Sequence, residues 1–545
     1  MTTAATTAAT TAAPTGGKLP SQIPYIIGNE ACERFSFYGM RNILTDFLSK
    51  SAILAAVAET DRGLAAKEIF HIFVMGVYFF PLLGGWLSDR YWGKYKTIFW
   101  LSLVYCAGNA CLALFVDNKL GFYLGLVLIS LGSGGIKPCV SAFVGEQFDQ
   151  SNKHLAKLVF DAFYWIINFG SFFASWLIPL ALLSWGPGWA FGIPGILMFI
   201  ATFIFWLGRK RYVVEPPRPH DPNAFSAICL AALKSGTGAV RALVGVGAIA
   251  TAAFLALGFV DLARMLLDVE PYLGAVQAWC LALVVLLGAG GIAVWLSLDG
   301  ARGKFPDDEV DGVRAVLRVL VLFVPVTAFW SLFDQKASTW VLQGKQMVLP
   351  VWDLPSWAPA FLQLKNASQM QSLNPLLVML LIPFNNAVLY PLLRKVGIEP
   401  TPLRRMTWGI ALAGLAWIGA GLLQLRIDGG AQLSILWQVT PYIVLTLGEV
   451  LLSATGLEFA YSQAPAKLKG VLMSFWTLAV TIGGLWVLLV NKTVKGEAVT
   501  KAIEGAGIGV TSFQMFFFAA FAFAAALAFG AYARSYRVVD HYRKA

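Results

Sequence analysis

Gly28-Asn29-Glu30-Ala31-Cys32-Glu33-Arg34-Phe35-Ser36-Phe37-Tyr38-Gly39-Met40-Arg41 places four charged residues inside the first long apolar segment of the chain. On a helix advancing about 100° per residue, Glu30, Glu33, Arg34, Tyr38 and Arg41 project within one sector, and Phe35 lies outside it. One face is polar and the remainder can meet lipid. A charged side chain at mid-bilayer costs about 2.5–3.5 kcal/mol on insertion scales, so a cluster of them needs partners and lines a water-filled path. The stretch reads as the functional centre.

The surrounding composition fixes the class. Of 545 residues, 58% are hydrophobic and only 13% charged, with mean hydropathy +0.68. No soluble globular chain of this length has that balance, so the protein is polytopic, all-α and embedded in a lipid bilayer. The net charge of +11 does not indicate nucleic acid. Its basic residues sit in short runs between apolar segments, as positive cytoplasmic loops do.

Apolar segments of about 20 residues or more, enough to cross a bilayer, fall near 24–54, 66–88, 95–117, 121–147, 157–183 and 188–208. A basic, proline-rich link from Arg209 to Pro222 follows. Two nearly uncharged segments come next, at 226–259 and 272–298, and read as lipid-facing helices. Six more lie near 312–335, 370–393, 402–425, 435–463, 469–491 and 511–534. The expected organisation is a disordered tail (1–22), a six-helix bundle (23–208), a linker with two extra transmembrane helices (209–310), a second six-helix bundle (311–535) and a terminal tail (536–545). An even count puts both termini on one side, and Arg90, Lys94, Lys96, Arg209 to Arg211, Arg404 and Arg405 make that side the cytoplasm.

Residues 1–17 form a Thr/Ala-rich tail without a signal-peptide pattern, so the first helix is expected to act as the insertion signal. The six cysteines form no Cys-x-x-Cys pair and read as packing residues, neither a disulfide frame nor a metal site. No His-Glu-x-x-His, Gly-x-Ser-x-Gly or glycine-rich nucleotide loop is present, which argues against an enzyme.

Gly84-Gly85-Trp86-Leu87-Ser88-Asp89-Arg90-Tyr91-Trp92-Gly93-Lys94-Tyr95-Lys96 joins the second and third segments. It resembles the loop signature of the major facilitator superfamily, whose members have two six-helix halves. Glu30-x-x-Glu33-Arg34-Phe35-Ser36-Phe37-Tyr38-Gly39 then resembles the signature of proton-coupled oligopeptide transporters, a branch of that superfamily. Four further stretches match the same family: Gly134 to Cys139, Phe163 to Ser171, Phe329 to Gln335 and Gly456 to Pro465. Bacterial members carry the central pair of extra helices as well.

A di- or tripeptide is a zwitterion, so its site needs a cation for the carboxylate and an acid or amide for the amine. Arg34, Arg41 and Lys137 come from the first half of the chain; Asp334, Asn374 and Glu458 come from the second. The resemblance implies that Arg34 and Lys137 meet the peptide carboxylate, and that Asn168, Asn374 and Glu458 meet its amine. By the same resemblance Tyr38, Tyr78, Trp330, Trp476 and Ser462 line side-chain pockets. It further implies gate salt bridges Arg41–Asp334 and Lys137–Glu458. Glu449 lies about 180° round its helix from Glu458, so the two cannot face one cavity, and Glu449 is expected to be structural. Lys336 has two open readings, snorkelling outward or altering the gate.

Proton coupling is expected from Glu30, Glu33, Arg34 and Glu458. His71 shares a face with Tyr78 and suits a proton relay, because an imidazole titrates near neutral pH. A carboxylate beside Arg34 gains proton affinity when a substrate carboxylate takes its partner. The expectation is therefore a proton-coupled symporter that imports di- and tripeptides by alternating access, as a monomer in the bacterial inner membrane. Protons are its coupling ion, and no cofactor or metal is expected. The alternatives are the same fold carrying another organic or inorganic anion, and a peptide sensor that binds without transport.

Overall fold

The computed structural model describes residues 19–148, 155–217, 224–267, 269–351, 362–463 and 468–537. Most of tail 1–22 and of tail 536–545 therefore lies outside the described residues. In chain order the helices are α1 (Ile23–Leu48), α2 (Arg62–Phe79), α3 (Pro81–Leu87), α4 (Lys94–Leu114), α5 (Lys119–Glu146), α6 (Ala156–Trp185) and α7 (Pro187–Leu207). The link leads to α8 (Phe225–Ser235), α9 (Gly238–Leu266) and α10 (Ala275–Ser297). Then follow α11 (Asp307–Asp334), α12 (Thr339–Gly344), α13 (Leu373–Phe384), α14 (Tyr390–Lys395) and α15 (Pro402–Asp428). The last are α16 (Val439–Glu449), α17 (Thr455–Gln463), α18 (Lys469–Val494), α19 (Glu497–Gly505) and α20 (Val510–Ser535).

Thirteen stretches of these helices are long and apolar enough to cross a membrane. The 26-residue α1 has the length but carries Glu30, Glu33, Arg34, Arg41 and Asp46. It is the fourteenth crossing, set apart by the charge that makes it functional. Among the described residues, three crossings contain a π-helical turn: Ser88–Trp92 after α3, Asn385–Leu389 after α13, and Val450–Ala454 between α16 and α17. Such turns insert an extra residue and reset which side chains share a face.

One segment expected at 226–259 is divided and displaced. Gly236 and Thr237 adopt extended backbone, which ends α8 and starts α9. The short α8 buries Ile228 and Ala232 in the core of the second half, and α9 makes the crossing. The carboxylate of Asp261 accepts the backbone N–H groups of Tyr272, Leu273 and Gly274 at 2.8–2.9 Å, which fixes the turn into α10.

Two hydrophobic cores form. One draws on 23–212 with Ala337, the other on 228–529. In the second core Trp340 lies 5.0 Å from Tyr442 and 5.9 Å from Trp417 between ring centres, contacts worth about 0.5–1.5 kcal/mol each beyond area burial. A small third cluster, Met75, Cys280, Leu485 and Leu488, joins the α9–α10 hairpin to both halves at once.

The loop signature has a steric basis. A Cβ on Gly84 would stand 2.4 Å from the backbone of Gly135. The two glycines let α3 and α5 touch backbone to backbone. The following turn is tied by Lys94, which pairs with Glu146 and lies 3.9 Å from Asp89.

Candidate functional site: a charged cluster between the halves

About three turns of α1, from Glu30 to Arg41, carry the first wall. Arg34 Nε donates to Glu30 Oε1 at 2.6 Å and lies 2.8 Å from Glu33 Oε2. Glu30 and Glu33 are 2% and 1% exposed, so both charges are desolvated and depend on Arg34. Ser133 on α5 donates to Glu33 Oε1 at 3.5 Å. One turn further along α5, Lys137 Nζ sits 4.1 Å above the Phe37 ring and 4.4 Å from that of Tyr78. Its ammonium also lies within the fields of Glu33, Arg34, Arg41 and Asp334. Two aromatic faces thus hold a cation that no carboxylate binds directly among the described residues.

The second wall comes from the turn that follows α11 and from α13 and α16. Lys336 Nζ donates to Asn374 Oδ1 at 2.9 Å, and Asn374 Nδ2 donates to Glu449 Oε2 at 2.6 Å. Asn374 also reaches Thr446 Oγ1 at 3.2 Å. Lys336 is buried, 3.1 Å from the centre of the Phe333 ring, so it does not snorkel outward. The Glu449 carboxylate faces the charges of Lys336, Asp334 and Arg41. Tyr38 and Tyr164, from the opposite wall, feel Glu449 in turn.

This geometry revises the reading of the two acids. Glu449 belongs to the charged centre, whereas Glu458, nine residues nearer the helix end, is exposed. The expected Lys137–Glu458 pair is not among the ion pairs of the described residues, for Lys137 is held by rings. The expected Arg41–Asp334 pair is present at 2.6 Å, with both residues buried. Arg41 lies 5.2 Å from the Phe70 ring as well.

Other candidates fall into place around these walls. His71 Nε2 is 3.1 Å from Ser338 Oγ, across the halves. Trp330 and Trp476 pack edge to face, 6.2 Å apart and buried. Tyr38 is half-buried with its ring against Phe37. Asn168 donates to the carbonyl of Tyr164 at 3.0 Å. Ser462 is apart from the centre: its hydroxyl donates to Phe459 O and accepts from Gln463.

Polar contacts joining the halves lie toward the end remote from the termini. Asp46 accepts from Asn366 at 2.8 Å and pairs with Lys345 at 2.7 Å. Gln371 donates to Asn42 O, Lys67 to Gln514 and Thr481 to Met75 O. Lys495 pairs with Glu68 at 2.8 Å. With Arg41–Asp334 these contacts close that end. Tyr164, Glu458 and Trp165 are exposed on the other side.

Sequence reasoning gave Glu449 a structural place, did not single out Tyr164 or Ser133, and left Lys336 open between snorkelling outward and altering the gate. For Glu449 the signal was available, a lone carboxylate within Leu445 to Leu452. The hydroxyls of Ser133 and Tyr164 carry no such mark.

A sequence profile described as the POT family matches residues 95–505, about three quarters of the chain. The chain belongs to the POT family. Among curated relatives of this POT protein is "Peptide transporter family 1" of Caenorhabditis elegans, 34% identical over 417 residues. That match covers 74% of this chain and 45% of the relative. The chain thus spans about half the length of the curated relatives it matches. Solved structures cover it more fully. A structure described as an auto inhibited POT family peptide transporter is 60% identical with TM-score 0.88, covering 96% of this chain and 99% of its own. The POT family transporter PepTSo is 56% identical with TM-score 0.89, covering 96% and 100%. The fold of this POT protein is accordingly that of the major facilitator superfamily, two six-helix halves plus a two-helix hairpin.

Proposed function

We propose that this POT protein is a proton-coupled symporter of di- and tripeptides that works by alternating access. The observation that carries the reading is that each wall holds both an acid and a cation at the centre, Glu30, Glu33, Arg34 and Lys137 on one and Lys336, Asn374 and Glu449 on the other. A zwitterion bridges such walls, its carboxylate drawn to Arg34 and Lys137 and its amine to Asn374 and Glu449. Asn168, Tyr38, Tyr78, Trp330 and Trp476 surround the side chains, as Tyr164 does.

Coupling follows from competition. Arg34 holds Glu30 and Glu33. A substrate carboxylate that takes part of the guanidinium leaves Glu33 with burial unopposed, and the acid binds a proton. Proton and peptide then favour each other. One charge moved through 100 mV is worth about 2.3 kcal/mol, which sustains roughly a fiftyfold gradient. Arg41–Asp334 and the Asp46 contacts open and close one end as the halves rock, with His71 and Ser338 parting in the same motion. No cofactor takes part, and protons are the coupling ion. The unit is a monomer in the bacterial inner membrane with both termini in the cytoplasm, an orientation that the basic loops on that side support.

The test is uptake of a labelled dipeptide into proteoliposomes with and without an inward proton gradient. Gradient-driven accumulation is expected in the wild type. Glu33→Gln should lose it and keep counterflow exchange. Binding without uptake would make the protein a sensor, and uptake indifferent to the gradient would remove symport.

A further inference from the structure

Outside the charged centre, a cleft of about 370 Å³ lies where the extra hairpin meets the second half of the chain. That size falls within the range of about 300–1,000 Å³ usual for ligand clefts. Trp295 near the end of α10, Arg318 on α11, and Tyr532, Tyr536 and Arg537 at the end of α20 line it. An adjoining hollow carries Arg314 and Asp311. The guanidinium carbons of Arg314 and Arg318, one turn apart, stand 5.7 and 5.8 Å from the Trp295 ring centre.

The charges are not balanced. Arg314 is spent on Asp299 at 2.6 Å, and Asp311 is spent on Arg302 at 2.6 Å. Among the described residues, Arg318 and Arg537 have no carboxylate within ion-pair distance. Two guanidinium groups with no ion-pair partner among the described residues, beside two phenols, make a receptor for a phosphate, because a guanidinium matches its oxygens in pairs.

The setting identifies which phosphate. Further along α11 from Arg318, Val321 and Val324 are exposed, as are Ile292 and Leu296 beside Trp295 on α10. These apolar residues belong to the surface that meets acyl chains, and an exposed tryptophan next to arginines marks the interfacial depth. A basic pocket between transmembrane helices at that depth suits a lipid head group.

We propose that this cleft binds an anionic phospholipid, with its phosphate between Arg318 and Arg537 and its acyl chains along Val321 and Val324. The lipid fastens the α9–α10 hairpin to the second half, giving the two extra helices a binding role. This site does not depend on what crosses at the charged centre.

The experiment is native mass spectrometry of the full chain in neutral detergent, titrated with phosphatidylglycerol, phosphatidylcholine or inorganic phosphate. Phosphatidylglycerol should bind in preference to phosphatidylcholine. Arg318→Gln and Arg537→Gln should each weaken it about fivefold, and Arg426→Gln at the far end of α15 should not. Arg537 lies beyond the end of α20 and is exposed, so its replacement does not threaten folding. Equal retention of the two lipids, wild-type affinity in both cleft variants, or an inorganic-phosphate adduct without any lipid adduct would overturn the proposal.

Discussion

Arg41 of α1 and Asp334 of α11, 293 residues apart in sequence, meet at 2.6 Å with both side chains almost wholly buried. The pair joins the two halves in a place that water reaches only when they separate. Removing one partner of such a pair leaves a buried charge, a loss of about 3–5 kcal/mol, whereas removing both costs far less. Asp334→Asn is therefore expected to favour the state opened at the end remote from the termini. Spin labels at Lys50 and Lys365 should report a longer distance in that variant, and Arg41→Met with Asp334→Leu should restore the shorter one. An unchanged distance in Asp334→Asn would remove the gating role.

Asp46 and Lys345 form a second tie nearer that end, at 2.7 Å, with Asn366 completing the carboxylate's partners. Their coupling should be about 0.5–3 kcal/mol, as for residues sharing one network. The expected reading is a lowered melting temperature in Asp46→Asn and little further loss when Lys345→Met is added. Additive losses would show that the two do not act together.

Glu449 and Glu458 separate the central site from its approach. Glu449→Gln weakens the anionic character of the wall that holds Asn374 and Lys336, and is expected to cut dipeptide uptake by about tenfold or more, the equivalent of one charge-assisted hydrogen bond. Glu458→Gln, on an exposed side chain, should stay within about twofold of the wild type. Initial uptake rates in proteoliposomes decide it. The reverse ranking would return the substrate amine to Glu458.

Neighbouring glycines give an internally controlled test of packing. A Cβ at Gly84 runs into the backbone of Gly135, while a Cβ at Gly85 meets nothing within 4 Å. Gly84→Ala should cost about 1–3 kcal/mol and lower the melting temperature of the purified protein by several degrees. Gly85→Ala should leave it unchanged or raised, since alanine favours the helix.

Much of this molecule is legible in its sequence. Charge inside an apolar segment is expensive in every fold, so Glu30, Glu33, Arg34 and Arg41 announced a polar face without reference to a partner. The same cost picked out Lys137 and Asp334. What stayed hidden depended on neighbours. Ser133 is an ordinary helix serine until Glu33 comes within 3.5 Å. Lys336 could point either way until Asn374 and Phe333 enclosed it.

The sequence by itself determined the membrane class, the six-two-six order of crossings and the family signature, because hydropathy and local charge are properties of single segments. Only the tertiary structure decided between Glu449 and Glu458. A wheel drawn at 100° per residue treats that helix as unbroken, but the π turn at Val450–Ala454 intervenes between the two acids. What then selects Glu449 is its depth and the polar groups of α13 and of the turn after α11 beside it. Those groups come from chain segments 75 or more residues away, and their approach is set by packing of the halves, which no local pattern encodes.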